Sequence, residues 1–389
     1  MGRAIRHWPV IITLFACARA SGDGSASAPG APLSGLSAAE LELFTAGRTL
    51  FDREFTPEQG LGPAFNERRC SSCHDVPTLG GMGAETVVRA TRFENGRCDL
   101  LREHGGDLLQ QSITDTLRAL GFLPERIPAT ATASVAMVAP PLFGAGLIEA
   151  IPENAISRRA DPHDNDRDGI SGRAGRNSDG RFGRFGRKAN FATLDAFIAN
   201  ALLGEMGLTS AAHPEEENLG GQSLPPGVDA APDPELHADS VALITRFVRL
   251  LAAPAPEAPA SAAALDSVRR GARYFDQVGC ARCHTPAFRT ASNVPALHNR
   301  EVRLYSDLLL HDMGPERASV CAPDASPSEW RTPPLMGLRH RHVFLHDGRT
   351  QNVRSAIDAH GGEAAGVVAA FRRLLPEQQD LLVRFLYSL

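Results

Sequence analysis

The chain has 389 residues, 43% of them hydrophobic and 22% charged, with a formal net charge of −5. That length accommodates two domains with real cores, and the composition excludes wholesale disorder. No apolar run approaches the ~20 residues of a membrane-spanning helix, and the acidic balance argues against a nucleic-acid-binding surface. Lys188 is the only lysine among 40 basic residues, which reads as codon bias, since arginine serves equally for surface charge.

Arg3, Arg6 and His7 precede a short apolar stretch from Trp8 to Ala16. This has the form of a secretory signal, and residues 1–16 are read as one. Leu14-Phe-Ala-Cys17 is similar to a bacterial lipoprotein cleavage box, with Cys17 as the candidate lipid-anchor site. The alternative is a plain signal peptide cut elsewhere. Residues 17–36, rich in Ala, Ser, Gly and Pro, read as a flexible tether. The expected location is the periplasm or the outer cell surface, with a lipid anchor as the sole attachment to membrane.

Four of the seven cysteines fall in two identical frames, Cys70-Ser-Ser-Cys73-His74 and Cys280-Ala-Arg-Cys283-His284. Chance, from this composition, supplies about 0.004 such frames. C-x-x-C-H is the attachment frame of c-type haem. Two thiols at i and i+3 lie on one side of a turn and meet the two vinyl groups, and the next residue ligates the iron. A redox dithiol needs no histidine there, and a zinc site would have to join pairs 210 residues apart. Cys98 and Cys321 remain. In an oxidising compartment they form either a disulfide or two separate buried thiols.

Gly47-Arg-Thr-Leu-Phe51 leads towards the first frame and Gly271-Ala-Arg-Tyr-Phe275 towards the second. Each half also closes alike, at Phe247 in residues 244–251 and at Phe385 in residues 383–389, with apolar residues at helical spacing. Asp266 and Pro376 mark expected helix starts. The chain thus reads as an N-terminal cytochrome c-like domain over 37–251, an Ala/Pro-rich linker over 252–264 and a C-terminal cytochrome c-like domain over 265–389. Strand signals are sparse, so the expected fold is all-α. Residues 100–232 are mostly a loop-rich insertion that wraps the haems and shapes a pocket.

Two haem frames in this order, with Asp164-Asn-Asp-Arg-Asp-Gly-Ile-Ser-Gly172, Leu309-Leu-His-Asp-Met-Gly314, Ser328-Glu-Trp-Arg-Thr-Pro-Pro334 and Phe344-Leu-His-Asp-Gly-Arg349, resemble the di-haem oxidoreductase family, often labelled "thiol oxidoreductase". More distantly the chain is similar to bacterial di-haem cytochrome c peroxidases and the di-haem methylamine-utilisation enzyme. The resemblance places the sixth ligand of the second haem fourteen residues after His346, at His360, where the peroxidases have Met. It implies bis-His coordination by His284 and His360 and a lower potential than His/Met ligation. The other reading of His360 is a helix-end cap before Gly361-Gly362.

Leu203-Gly-Glu205-Met-Gly207 resembles the peroxidase segment that carries a distal acid. Glu205 is thus the candidate catalytic residue, moving a proton between peroxide oxygens. It reads otherwise as a helix-end surface residue. Met82, Met206 and Met313 are alternative thioether ligands or packing residues. The peroxidases also have a tryptophan between the haems, where this chain reads Phe185-Gly-Arg-Lys188. Trp330 is the only tryptophan outside the signal segment. Two functions follow. One is an oxidoreductase fed by a small redox protein, with a peroxide or other small oxidant as substrate. The other is a purely electron-transferring cytochrome with both haems six-coordinate.

Asp164, Asp166 and Asp168, followed by Gly169, match the first half of a Ca²⁺ loop, to which the carbonyl of Ile170 adds a ligand. Position 12 is Gly175 rather than Glu, so this is no full EF-hand. The alternative is a solvated acidic turn. A second calcium between the haems, near Thr332 and Pro334, is implied by the peroxidase resemblance alone.

Overall fold

The computed structural model describes residues 26–83 and 85–389; the signal segment and Cys17 lie outside them. Six helices have nine residues or more among the described residues: α1 (Ala38–Phe51), α2 (Leu194–Met206), α3 (Ala238–Leu250), α4 (Ala262–Val278), α5 (Ala365–Arg373) and α6 (Pro376–Tyr387). Ser37 and Glu40 close a capping box at the start of α1, which satisfies two otherwise orphaned N–H groups. Ser261 caps α4, so that helix begins before Asp266. Pro376 is the first residue of α6, where its missing N–H costs nothing.

The internal repeat is reproduced in three dimensions. Helix α1 crosses α3, and α4 crosses α6, each at a glycine. A Cβ on Gly47 would sit 2.1 Å from the carbonyl oxygen of Leu243, and one on Gly271 would sit 2.1 Å from that of Leu381. The phenylalanine one turn later fills the crossing. Phe51 meets Phe247 at 5.0 Å between ring centres, and Phe275 meets Phe385 at 5.3 Å. Each then touches the histidine of its frame, His74 at 6.2 Å and His284 at 6.4 Å. Helix packing therefore carries straight into the position of the iron-ligand candidates.

The all-α expectation fails. The described residues are 34% helical and 15% strand. Just before the insertion, β1 (Thr86–Glu94) is the centre of a three-stranded antiparallel sheet, flanked by β2 (Arg97–Asp99) and by β3 (Ala133–Val138), which lies within it. Thr86, Val87, Val88 and Thr91 are β-branched and suit a pleated surface. A second antiparallel pair, β4 (Leu310–Asp312) with β5 (Glu329–Arg331), lies in the second half. Cytochrome-like helix pairs thus carry sheets that helical periodicity did not announce.

The insertion is fastened to the second half of the chain. Cys98 of β2 forms a disulfide with Cys321. Arg173 pairs with Glu329 at 2.5 Å and with Asp324 at 3.2 Å. Ser171 donates from its N–H and hydroxyl to Glu363. Parts of the expected tether and linker are packed. Ala26–Ser27 pairs in parallel with Ala253–Pro254, Leu33 is buried, and its N–H donates to the carbonyl of Leu250 at 2.8 Å.

Gly47→Ala and Gly271→Ala each push a methyl into a backbone carbonyl across a helix crossing. Overpacking of this kind costs about 1–3 kcal/mol. Each variant is expected to lower the thermal unfolding midpoint, measured by circular dichroism, while Gly366→Ala, in α5 with open space at its Cβ position and no left-handed backbone, serves as the control for changing a glycine.

Candidate functional site

Both C-x-x-C-H frames adopt the same local structure. Cys70–Ser72 and Cys280–Arg282 are single 3₁₀ turns, and all four cysteines are free thiols. Burial pushes the thiols of Cys70, Cys73 and Cys280 up to about 12 and raises that of Cys283. None is in a disulfide, so each retains the sulfur that a thioether requires.

The histidines are set for ligation. His74 Nδ1 lies 3.0 Å from the carbonyl oxygen of Gly81. His284 Nδ1 lies 2.8 Å from that of Tyr305, and His360 Nδ1 lies 2.7 Å from that of Ala356. Each bond fixes the tautomer that donates from Nδ1 and leaves Nε2 as the ligating atom, the usual second shell of a metal-bound imidazole. Burial lowers the pKa of all three, that of His284 to about 4. They are therefore neutral, as ligation needs. His360 lies near enough to His284 to help lower its pKa.

The first frame opens on a cavity of about 330 Å³, lined by Cys70, Cys73, His74 and Glu205 among others. Glu205 lies one residue before the end of α2, and its side chain faces this cavity rather than the surface. Burial raises its pKa, against the opposing influence of Arg89 and a 3.0 Å hydrogen bond from Asn66 Nδ2. Met82 and Met206 are buried in the cavity wall beside Met137, which the sequence did not single out. Met313 instead packs by Trp330.

Sequence reasoning also missed a cationic wall, in which Lys188 is buried and Arg187, Arg331 and Arg341 are half-buried. Arg187, Lys188, Arg331 and Arg341 line the same cavity. Burial lowers Arg187 to about 9, Arg331 and Arg341 to about 10, and Lys188 to about 7. Among the described residues none of the four pairs with a carboxylate. They rest on carbonyls instead: Arg187 on Val138 at 2.7 Å, Arg331 on Gly186 at 2.8 Å, Arg341 on Pro334 at 2.6 Å, and Lys188 on Ser326, Pro327 and Glu329. Arg341 Nε is buried with no partner. Buried cations lacking a counter-charge call for an anion, and a cavity walled by apolar side chains with a cationic edge fits a porphyrin with its propionates. The one sequence signal was the solitary lysine. Lys188 is buried rather than on the surface, and its ammonium lies 3.6 Å from the Trp330 ring centre. Trp330 in turn stacks on His346 at 3.9 Å.

His311 is buried between Asp307 at 2.9 Å and Glu363 at 2.7 Å, with Cys283 Sγ 3.7 Å away. Burial opposes its charge, but the hydrogen bonds to Asp307, Cys283 and Glu363 outweigh burial and raise its pKa. Glu363 follows His360 by three residues, so this ion triad anchors the segment that presents His360. Asp164, Asp166 and Asp168 bring carboxylate oxygens within 4.8 Å of one another. Asp168 also lies 3.4 Å from Arg282, inside the second frame.

Two matched C-x-x-C-H turns, each under a helix pair, define a two-haem redox protein. The chain belongs to the di-haem oxidoreductase family, whose model, described as "Di-haem oxidoreductase, putative peroxidase", matches residues 133–389. It is accordingly a peroxidase-like oxidoreductase carrying two haems. Among solved structures, a hydrazine synthase from Kuenenia stuttgartiensis is similar at 13% identity over 100% of both chains, with a TM-score of 0.44. A MauG-like protein associated with microbial copper homeostasis is similar at 14% identity, covering 98% of this chain and 95% of that one, with a TM-score of 0.40. The diheme peroxidase BthA from Burkholderia thailandensis is similar at 15%, covering 90% and 86%, with a TM-score of 0.34. No curated protein matches the sequence.

Proposed function

We propose that this protein is an exported c-type di-haem peroxidase with two unlike sites. The observation that carries the reading is the contrast between them. The second site has two neutral histidines, His284 and His360, each with Nδ1 held by a carbonyl so that Nε2 would be free to ligate one iron, and it acts as the electron entry from a small redox protein. The first has one histidine, His74, and a buried carboxyl, Glu205, on a cavity that accepts a small oxidant such as a peroxide. The haems attach covalently at Cys70 and Cys73 and at Cys280 and Cys283, within cytochrome c-like units over 37–251 and 265–389. Export through residues 1–16 and anchoring at Cys17 place the protein where such attachment occurs.

The haems supply one-electron chemistry and an iron that binds the oxidant. The chain's own residues do the rest. His74 and His284 present Nε2 because carbonyls hold Nδ1. Asn66 orients the Glu205 carboxyl, and burial raises its pKa, which suits it to accept and return a proton. Arg89, paired with Asp107 at 2.5 Å, stands near enough to Glu205 to favour its charged form.

Holoprotein matured in a competent host is expected to weigh two haems more than its polypeptide under denaturing conditions. One ferric haem should bind cyanide and the other should not; two ligand-inert haems would favour the electron-shuttle reading. His360→Ala should convert the second haem from low to high spin, and added imidazole should reverse this; an unchanged EPR spectrum rules out the ligand assignment.

Glu205→Gln is expected to lower kcat/KM for hydrogen peroxide by about 10²–10⁴-fold, the usual worth of a positioned acid–base group. Because burial raises the Glu205 pKa, the carboxyl stays protonated above the ordinary carboxylate range. Activity that requires the carboxylate should therefore fall as pH drops through that raised value, and the acid limb should vanish in Glu205→Gln.

The Asp164–Ile170 loop is proposed to hold a structural Ca²⁺. One oxygen of each aspartate accepts from the backbone, at Gly169, Asp168 and Ile170; the other oxygens of Asp164 and Asp166 are left for an ion, while that of Asp168 also faces Arg282 at 3.4 Å. Combined Asp164→Asn and Asp166→Asn should abolish calcium binding in calorimetric titration and remove the rise in melting temperature that calcium gives the parent.

A further inference from the structure

The peroxidase resemblance implies a calcium ion between the haems, at the carbonyls of Thr332 and Pro334. The residues here do not fit one. Calcium takes six to eight oxygen ligands at about 2.3–2.6 Å. The Thr332 carbonyl already accepts from the Ser306 hydroxyl at 2.7 Å and from Arg331 at 3.4 Å. The Pro334 carbonyl accepts from Arg341 at 2.6 Å. Asp307 is the carboxylate that acts on Arg331, and it is taken up by His311 and by the N–H of Leu309. Two guanidinium groups against these carbonyls repel a divalent cation and offer it no oxygen.

The same residues join the two sites. Asp307 N–H donates to the carbonyl of Cys283, in the second frame, at 2.8 Å, and Ser306 N–H to that of Thr285, the residue after the frame, at 3.0 Å. The Ser306 hydroxyl then reaches Thr332. Next to it, Arg331 donates from its backbone to Arg187 at 2.9 Å and from Nε to Gly186 at 2.8 Å, both on the first cavity. Arg341 lines that cavity as well.

We propose that Arg331 and Arg341 form a fixed cationic bridge between the two haem sites, standing where the peroxidases hold calcium, so that coupling between the sites needs no calcium. This rests on the two-haem reading. Colourless holoprotein defeats that reading, whereas the measurements below defeat the bridge alone.

The test uses full-length holoprotein carrying Asp164→Asn and Asp166→Asn, so that the acidic loop no longer contributes. Calcium is titrated into it, and both haem midpoint potentials are recorded with calcium and with a chelator. The expected result is no bound calcium and identical potentials in the two conditions. Arg341→Gln in this background should lower the potential of at least one haem in calcium-free buffer, because removing a buried positive charge favours ferric iron; Arg341→Lys should retain part of the shift. A tight calcium site surviving in the loop variant, potentials that respond to the chelator, or an Arg341→Gln protein with unaltered potentials overturns the bridge. Should Arg341→Gln fail to retain haem, the calcium and chelator measurements on the loop variant decide alone.

Discussion

A guanidinium withdrawn from water loses several kilocalories per mole of hydration unless an anion or a set of carbonyls takes the solvent's place. Three of them, with one ammonium, meet on a single cavity wall here, and their direct partners among the described residues are backbone carbonyls and, for the ammonium, the face of Trp330. Such a wall is tolerable only when negative charge arrives with the ligand. Two porphyrins bring four propionates, and their apolar faces suit the remaining lining, which includes Phe143, Phe185, Leu202 and Val248. The polypeptide and its haems therefore complete one another electrostatically, and the apoprotein should be the less stable form.

That requirement explains why the insertion is fastened rather than loose. Arg187 and Lys188 come from the insertion, while Arg331 and Arg341 come from the second half. Holding like charges together costs energy, so the two segments need attractive links elsewhere. The Cys98–Cys321 disulfide, Arg173 with Glu329 and Asp324, and Ser171 with Glu363 supply them. The ammonium of Lys188 adds three carbonyls of residues 326–329 and the face of Trp330.

The parts legible in the sequence were those in which chemistry imposes a local pattern. C-x-x-C-H needs three residues within one turn. Gly47 with Phe51, and Gly271 with Phe275, need one helix crossing each, so the repeat survives in order and spacing. Glu205 and His360 were reachable only through resemblance; Glu205 lines the first cavity and His360 has its Nδ1 held by the Ala356 carbonyl. The sheets were not legible, because β1 lies in a segment where Arg89, Arg92 and Glu94 interrupt the apolar alternation. The pairing of Cys98 with Cys321 depends on the fold that joins positions 223 residues apart. Lys188 was visible but misread as a composition effect, since burial, which gives it meaning, is a tertiary property.

The two C-x-x-C-H frames share one local structure and one kind of helix crossing, and the difference proposed between them follows from what closes each. At the second site the chain spends three buried ionisable groups, Asp307, His311 and Glu363, on holding the segment that delivers His360. A rigid sixth ligand excludes a substrate but minimises rearrangement on electron transfer. At the first site the corresponding space is kept as a cavity, and the acid beside it is oriented by Asn66 rather than clamped by counter-charges. On the proposed reading, keeping one site closed leaves the other to do chemistry, because electrons then have a site at which to wait that does not itself react with the oxidant. The proposed cationic bridge adds to this: a positive charge beside a haem would favour its reduced state, so the charges suited to the propionates would also bias the poise of the pair.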